Sequence, residues 1–245
     1  HILRPATARP IPNPVGTAIV RVGALTAALT GANRATLDAA GIDYFTVHLH
    51  PGSHAGYFPG AEQIHLLVHI RTSDGLILGA QAVGADGVDK RIDVLATAIR
   101  TSMAAPELID LDLAYAPPFG SAKEPVNLAG MIAENVLDGE LELWYAEQLA
   151  EPDAGDYLIL DVRNADEYAQ DHLPGALLVP ANEVRERLDE IRAAAAGRDI
   201  RVHCASGKRS YLAYRILRSA GLPAANLSGG LLTLRALIPA EPALV

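Results

Sequence analysis

The sequence is poor in sulfur and aromatic residues: among 245 residues it has one cysteine, two methionines and one tryptophan, and aromatic residues make up 5%. A single cysteine excludes an internal disulfide and is typical of a reducing compartment. No apolar run reaches the roughly 18 residues that a membrane span needs, and the N-terminus lacks the apolar region of a signal peptide. We therefore expect a cytoplasmic protein that does not enter a membrane.

Basic charge and nucleotide-binding motifs are also scarce. The net charge is −9 and the pI is about 5.3, which argues against a nucleic acid or an anionic membrane as partner. The N-terminal half has no Gly-x-Gly-x-x-Gly fingerprint and no Walker loop, so these motifs assign it no nucleotide-binding role. Hydrophobic residues make up 50%, enough for a sizeable core.

The chain begins with His1, and residues 1–15, "HILRPATARPIPNPV", are rich in proline and show no periodicity. Such a composition is typical of a linker. We interpret this segment as the end of a connection to domains further upstream.

Residues 16–137 mix strands and helices without strict alternation, which predicts an α+β domain with an antiparallel sheet. The expected elements are a strand from Gly16 continued by "ALTAALTG", a short helix capped by Asn33, a strand that ends near His50, a hairpin turning at "TSDG", a helix over "DKRIDVLATAIRTSM", an extended segment "PELIDLDLAYAPPFG" and a helix from Val126 to about Leu137.

Residues 138–245 follow another pattern, with a boundary near Asp138. Apolar strands such as "YLILDV" and "IRVH" alternate with helices, which predicts a parallel sheet and an α/β fold. One helix is expected over "NEVRERLDEIRAAAAG", closed by Gly197. The helix after the cysteine is expected to turn Leu212, Ala213, Ile216, Leu217 and Ala220 inward.

Cys204 lies between a predicted strand and a helix that we expect to begin near Arg209. The backbone N–H groups of such a loop can converge on one point, and the positive end of the helix adds to them. Lys208 and Arg209 add full charges. These features favour a thiolate or a persulfide on Cys204, although many free cysteines are simply buried structural residues. The loop residues expected to surround the sulfur are Ala205, Ser206, Gly207, Lys208, Arg209 and Ser210.

Three ordered motifs carry a resemblance: "DVRNADEY" from Asp161, "HLPGA" from His172 and the loop from Cys204 to Arg209. Together they resemble a rhodanese-homology domain. The resemblance implies a sulfurtransferase in which Cys204 accepts sulfane sulfur. For Asp161 and Arg163 we expect structural roles, and for His172 a packing or capping role.

A phosphatase is the alternative chemistry for such a loop. Related phosphatase loops are one residue longer, whereas only the four residues of "ASGK" separate Cys204 from Arg209 here. The smaller loop favours a sulfur atom over a phosphate, although both chemistries use a thiolate.

The histidines of "TVHLHPGSHAGYFPG" raise the question of a metal site. His48 and His50 would lie on one face of a strand, with His54 nearby. Neither a carboxylate nor a cysteine completes an evident ligand set, so we expect no metal.

Longer strings of the first half, "HLHPGSHAGYFPGA", "GAQAVGADGVDKRIDVLATAIR" and "LAYAPPFGSAKEPVNLAGMIAENVL", resemble the dimerisation domain of flavin-dependent pyridine nucleotide–disulfide oxidoreductases. The similarity is greatest to the coenzyme A-disulfide and coenzyme A-persulfide reductase branch, some members of which carry a rhodanese domain. The resemblance implies a homodimer, and FAD and NAD(P)H domains in a longer parent protein. This chain is then expected to bind neither cofactor and to transfer no hydride.

The same resemblance implies roles for Tyr57 in "GYFPG" and Tyr115 in "AYAPPF", which match two tyrosines that reach the partner's flavin and redox cysteine. A phenol there can hydrogen-bond a thiolate or donate a proton. Alternatively, both are simple interface aromatics. We interpret Lys90 and Arg91 as surface charges rather than as dimer or substrate contacts.

Two readings of the whole chain follow. In the first, Cys204 collects sulfane sulfur from a donor and passes it to a small thiol such as coenzyme A, and the parent's flavin site reduces the product. In the second, the chain is a non-catalytic dimerisation or binding module with an inactive rhodanese-like appendage.

Overall fold

The structure, a computed structural model, describes residues 12–150 and 156–238. In these residues the strands form two sheets of five strands each, one antiparallel and one parallel, with helices packed on them. This confirms the predicted α/β class, with an α+β part followed by an α/β part. No helix in the described ranges is both long and apolar enough to cross a membrane. Most of the predicted linker, residues 1–15, lies outside the described residues.

The first sheet has the strand order β1-β2-β5-β4-β3. Its strands and the helices of the same half are β1 (Ala18–Val22), β2 (Leu25–Gly31), α1 (Arg34–Ala39), β3 (Tyr44–Leu49), β4 (Ile64–Arg71), β5 (Ile77–Gly84), α2 (Val88–Arg100) and α3 (Pro125–Leu137). All pairings are antiparallel. Strand β3 therefore forms one edge of this sheet.

Local sequence signals explain most of these elements. Asn33 begins α1 as predicted, since its side chain accepts the N–H of Thr36 at 3.0 Å. The hairpin of β4 and β5 turns at Thr72–Gly75 as predicted. Helix α2 buries Ile92 and Leu95 against the sheet, and these residues belong to one continuous apolar core.

Two predictions for this half were wrong. The segment from Gly16 does not run on as one strand: the chain reverses at Gly23–Ala24, so that Ala18 pairs with Leu29 in a hairpin. The start of "PELIDLDLAYAPPFG" is not extended but forms a 3-10 helix (Ala105–Asp110), because the carboxylate of Glu107 accepts the N–H of Ala104 at 2.7 Å.

The second sheet has the order β6-β10-β9-β7-β8, and its strands are parallel, as predicted. The elements are β6 (Leu143–Trp144), a 3-10 helix (Ala146–Ala150), β7 (Tyr157–Asp161), α4 (Ala165–Gln170), β8 (Leu177–Leu178), α5 (Leu188–Ala195), β9 (Asp199–His203), α6 (Lys208–Ser219), β10 (Ala224–Leu227) and α7 (Gly230–Leu237). Strand β9 lies at the centre. The predicted boundary near Asp138 falls between α3 and β6.

Two helices of this half differ from the prediction. Helix α5 begins only at Leu188, after a series of turns, although Val184 is buried as expected. In α6, Leu212 is 57% exposed instead of turned inward. The face of α6 that is buried has the helical spacing of Ser210, Ala213, Tyr214 and Leu217, and Leu212 lies off that stripe.

Strand β3 brings the two sheets together. The backbone N–H of Thr46 donates to the hydroxyl of Tyr145 at 3.3 Å, and His48 and Ser228 are joined by hydrogen bonds. The side chain of Ile132 in α3 packs against both apolar cores. The edge of the first sheet is therefore covered by residues of the second half rather than left open.

We predict that this protein loses stability in mild acid. Burial lowers the pKa of His48, His50, His69 and His203 from 6.5 to about 4, so that each is neutral in the fold. The unfolded chain binds these protons at higher pH than the folded chain does. The free energy of unfolding should therefore fall as the pH drops from about 6.5 to about 4.

Urea unfolding followed by circular dichroism across a pH series measures this slope. The variant Leu212→Ala changes an exposed side chain and no titrating group, and it should keep the slope of the wild-type protein. A free energy of unfolding that stays constant over this interval would contradict the prediction.

Candidate active site

Cys204 lies at the carboxyl end of the central strand of the parallel sheet. It directly follows β9, and α6 begins four residues later at Lys208. The carboxyl ends of parallel strands are where such sheets bind ligands. Cys204 thus lies between a strand and a helix, as the sequence predicts. Helix α6 begins at Lys208, one residue before the predicted start at Arg209.

Two donors point at the sulfur of Cys204. The backbone N–H of Gly207 lies 3.2 Å from Sγ, and the hydroxyl of Ser210 lies 3.3 Å from it. Gly207 adopts a φ of +90°, a left-handed conformation that is costly for other residues, at the point where the loop enters α6. The loop therefore presents hydrogen-bond donors to the sulfur, as an anionic sulfur requires.

The sulfur is also well covered. Cys204 is 1% exposed and Ser210 is fully buried, whereas Ala205, Ser206 and Gly207 are half-buried and Lys208 is exposed. The sulfur is therefore covered by protein, although the loop residues that directly follow it are partly accessible to solvent.

Arg209 is held in place by Glu167. The guanidinium donates to both carboxylate oxygens of Glu167, at 2.6 and 2.7 Å. This pair lowers the pKa of Glu167 from 4.5 to about 2. The pKa of Arg209 is raised, mainly by Glu167 and to a smaller extent by Cys204. Arg209 therefore stays charged beside the cysteine, and its direction is set by a bidentate contact.

Sequence reasoning placed Glu167 within the motif "DVRNADEY"; in the structure its carboxylate also caps α4 by accepting the N–H of Asn164 at 3.0 Å. It missed the clamp on Arg209, because the two residues are 42 positions apart. A carboxylate in a capping position carries no sequence signal for a second partner on another element.

Asn226 is a second residue that the sequence did not reveal. Its side-chain N–H donates to the carbonyl of Gly207 at 3.2 Å and braces the residue that contacts the sulfur. Asn226 is the one polar residue in "AANL" of β10, and it is 5% exposed. A polar residue inside an apolar strand was the available signal.

The start of α7 holds the other side of the loop. The backbone N–H groups of Leu231 and Leu232 donate to the carbonyls of Cys204 and Ala205, at 3.0 and 2.9 Å. The backbone of the cysteine is thus fixed by a helix that follows it by more than twenty residues.

Asp161, at the end of β7, forms a buried ion pair with Arg163. The guanidinium of Arg163 also donates to Asp171, so the pair spans the start and the end of α4. His203 lies 3.8 Å from Asp161 and is neutral, since burial lowers its pKa to about 4. These contacts have the form of a structural network under the loop, in keeping with the roles expected for Asp161 and Arg163.

His172 lies outside the cysteine loop. Its ring stacks on Tyr168 with 3.8 Å between the centroids, and its Nδ1 lies 3.0 Å from the carbonyl of Tyr168. Packing therefore accounts for its position.

The two tyrosines of the first half meet each other but not the cysteine. The hydroxyls of Tyr57 and Tyr115 are 3.3 Å apart, and this contact raises the pKa of Tyr57. Both rings are exposed, by 77% and 50%. Among the described residues, no hydrogen bond connects this pair to the Cys204 loop.

The interpretation of Arg91 as a surface charge was wrong. Arg91 is 1% exposed and forms an ion pair with Glu124, and it donates to the carbonyl of Ser53. Burial is possible because the charge is compensated. Lys90 is partly exposed and donates to the carbonyl of Phe119 in the Tyr115 loop.

The histidines considered as metal ligands have other partners. His48 and His50 contact Ser228 and Thr233 of the second half, and His54 contacts Ser53. In residues 12–150 and 156–238, no three His, Cys, Asp or Glu side chains converge as a metal site would require.

Comparison with known families identifies both halves. Residues 17–126 match the family profile of the pyridine nucleotide-disulphide oxidoreductase dimerisation domain, and residues 144–236 match that of the rhodanese-like domain. The chain therefore joins a region that matches this dimerisation-domain profile to a region that matches the rhodanese-like profile.

Individual relatives show which oxidoreductases this chain resembles in sequence and structure. The chain is 45% identical over 94 residues to coenzyme A disulfide reductase of Staphylococcus haemolyticus, a match over 38% of this chain and 21% of that protein. The crystal structure of reduced Bacillus anthracis CoADR-RHD superposes with a TM-score of 0.88 at 37% identity, over 92% of this chain and 40% of that one. An NAD-dependent persulfide reductase from A. fulgidus superposes with a TM-score of 0.81 at 41% identity, over 90% and 39%.

This chain is thus similar to the dimerisation and rhodanese regions of coenzyme A disulfide and persulfide reductases. It spans about two-fifths of the matching solved structures and matches about a fifth of the curated relatives.

We predict that Glu167→Gln lowers the free energy of unfolding at neutral pH by roughly 0.5–1 kcal/mol, the range of a partly exposed ion pair. The loss should shrink as the pH falls from 4.5 toward about 2, because Glu167 of the wild-type protein becomes protonated there. Urea unfolding at several pH values measures it.

Glu190→Gln serves as the matched control, because Glu190 pairs with Arg187 on α5, away from the cysteine. Its side chain is more exposed than that of Glu167, so a smaller loss is expected. Equal stability of Glu167→Gln and wild type at neutral pH would contradict the clamp.

Proposed function

We propose that this chain is the sulfurtransferase and dimerisation portion of a flavin-dependent NAD(P)H coenzyme A-disulfide, persulfide or polysulfide reductase, with Cys204 as the sulfur carrier. The observation that supports it best is the position of Sγ: it lies at a strand–helix junction, 3.2 Å from the N–H of Gly207 and 3.3 Å from the hydroxyl of Ser210, beside the charged Arg209. Donors and a cation around one sulfur stabilise its anion.

The proposed chemistry is a transfer of neutral sulfur between anions. The thiolate of Cys204 attacks the outer sulfur of a donor such as thiosulfate, the new S–S bond forms, and sulfite leaves with the electron pair of the broken bond. The resulting Cys204 persulfide carries its negative charge on the outer sulfur. The thiolate of a small acceptor such as coenzyme A then attacks this outer sulfur and releases the thiolate of Cys204.

The loop supports this cycle through its size and its donors. Four residues, from Ala205 to Lys208, separate Cys204 from Arg209, so that the space above Sγ suits a sulfur atom better than a phosphate. The loop residues that follow Cys204, which are Ala205, Ser206 and Gly207, are half-buried and have small side chains. We propose that a local displacement of this loop admits a compact donor to the sulfur.

The parent reaction involves groups that this chain does not hold. None of the described strand-to-helix junctions carries a Gly-x-Gly-x-x-Gly fingerprint, so the described residues do not fit FAD or NAD(P)H by themselves, and no step proposed here passes through either cofactor. Tyr57 and Tyr115 are proposed to act in the homodimer, where their exposed and hydrogen-bonded phenols reach the partner subunit.

A second function deserves a test because Cys204 is 1% exposed. In this reading the rhodanese-like domain is an inactive appendage of a dimerisation module, and Cys204 is a buried structural thiol. The two functions differ in whether the sulfur of Cys204 reacts.

We predict that the wild-type chain treated with thiosulfate or polysulfide gains the mass of one sulfur atom on Cys204, and that a thiol acceptor removes it. Intact-protein and peptide mass spectrometry measure both steps. Cys204→Ser should abolish the gain while folding and dimerisation persist, because serine is nearly the same size and forms no persulfide.

Leu212→Ala is the matched control on α6, where the side chain is 57% exposed, and it should accept sulfur as the wild type does. A wild-type Cys204 that never gains sulfur, in a chain that is folded and dimeric, would favour the inactive appendage.

A further inference from the structure

A short turn of the second half lies between strand β3 of the first half and the cysteine loop. Ser228, Gly229 and Gly230 connect β10 to α7, and the edge strand β3 of the dimerisation domain lies against them. The hydroxyl of Ser228 is 3.1 Å from the backbone nitrogen of His48, 3.0 Å from its Nδ1 and 3.2 Å from the carbonyl oxygen of Thr46. Ser228 is 3% exposed, so that these bonds are shielded from water.

The donors and acceptors around the hydroxyl of Ser228 can be assigned. The hydroxyl of Ser228 has one hydrogen, which it donates to the carbonyl of Thr46. Its oxygen can then accept two hydrogen bonds, one from the backbone N–H of His48 and one from Nδ1–H of the same residue. His48 is neutral, since burial lowers its pKa to about 4, and this arrangement requires the tautomer with the proton on Nδ1.

The other side of the same turn touches the cysteine loop. A Cβ on Gly230 would lie 2.5 Å from the carbonyl oxygen of Cys204, and a Cβ on Gly229 would lie 2.8 Å from Cβ of His48. The backbone of this turn is therefore in close contact with the side chain of His48 on one side and with the backbone of Cys204 on the other. Close packing on both faces transmits displacements, because neither side has free space.

Hydrogen bonds continue this path to the sulfur. The turn leads into α7, whose N–H groups at Leu231 and Leu232 hold the carbonyls of Cys204 and Ala205. A second contact fixes α7 from the same side: Nε2 of His50 lies 2.8 Å from the hydroxyl of Thr233, which is 5% exposed. The first turn of α7 is thus held between β3 and the cysteine loop.

We infer that His48 of the dimerisation domain is a positioning residue for the sulfur-transfer site, acting through Ser228 and the Gly229–Gly230 turn on the loop that carries Cys204. This inference rests on the proposed function for its biological meaning. The dimerisation domain then contributes to the geometry of the cysteine as well as to assembly, and the reactivity of Cys204 depends on the domain contact.

The test measures the sulfur without any sulfur donor. Because the chain has one cysteine, the rate of alkylation by iodoacetamide across a pH series reports the thiolate of Cys204 alone. His48→Leu removes both ring nitrogens while keeping an apolar side chain. We expect its alkylation rate at neutral pH to fall by about fivefold, the effect of one hydrogen bond, with the midpoint of the profile shifted to higher pH.

Three further variants separate positioning from general destabilisation. His48→Asn places an amide N–H near the position of Nδ1 and should restore most of the rate. Ser228→Ala removes a single hydroxyl, which makes it the milder variant should His48→Leu fail to fold, and it should slow alkylation in the same direction. Val20→Ala shortens an exposed side chain of β1, at the opposite edge of the first sheet from β3, and it should react like the wild type.

The outcomes are distinguishable. If His48→Leu and Ser228→Ala fold and alkylate with the rate and pH profile of the wild type, the positioning role is refuted, even where thermal unfolding shows that they are less stable. If both shift the profile while the wild-type chain accepts no sulfur from thiosulfate, the positioning role stands and the sulfurtransferase proposal fails.

Discussion

The hydrogen bond from the backbone of Gly207 to the sulfur of Cys204 is the interaction on which the arrangement of this site depends. It exists because β9 ends at His203, the chain turns within four residues, and α6 starts with its N–H groups directed back at the strand end. Everything around the loop serves to keep that turn closed: Asn226 holds the carbonyl of Gly207, and α7 holds that of Cys204. A sulfur in this position is surrounded by fixed hydrogen-bond donors in place of water.

The rhodanese-like domain has one buried ion pair below the cysteine loop and one partly exposed ion pair beside it. Below the loop, Asp161 and Arg163 are almost fully buried, and each compensates the other with several hydrogen bonds. At the loop surface, Arg209 and Glu167 remain about one-third exposed, so water screens their charges more than those of the buried pair.

The contact between the domains covers an exposed strand edge of the dimerisation domain. Strand β3 is the edge of its sheet, and an open edge invites unwanted pairing. Here the edge is closed by Tyr145, by Ser228 and by α7 through His48 and His50. The histidines are neutral because they are buried, so they act as hydrogen-bonding groups of defined shape rather than as charges. The two reductase structures superpose on 92% and 90% of this chain, which agrees with a packed contact between the two halves.

Periodicity and short motifs were sufficient to predict the elements that depend on local signals. The cap at Asn33, the hairpin at Thr72–Gly75, the parallel strands on either side of Cys204 and the cysteine loop itself all follow from residues close together in the chain. The errors arose where two local readings competed, as at Gly23, where a strand and a hairpin have the same apolar pattern.

Tertiary structure alone decided which distant residues complete the site. Glu167 reaches Arg209 across 42 positions, and Ser228 reaches His48 across 180. Such contacts have no local signature, because they depend on how sheets and helices pack and not on the properties of neighbouring residues. Residue patterns were thus sufficient to predict the two folds and the position of Cys204, and packing determined what surrounds that cysteine.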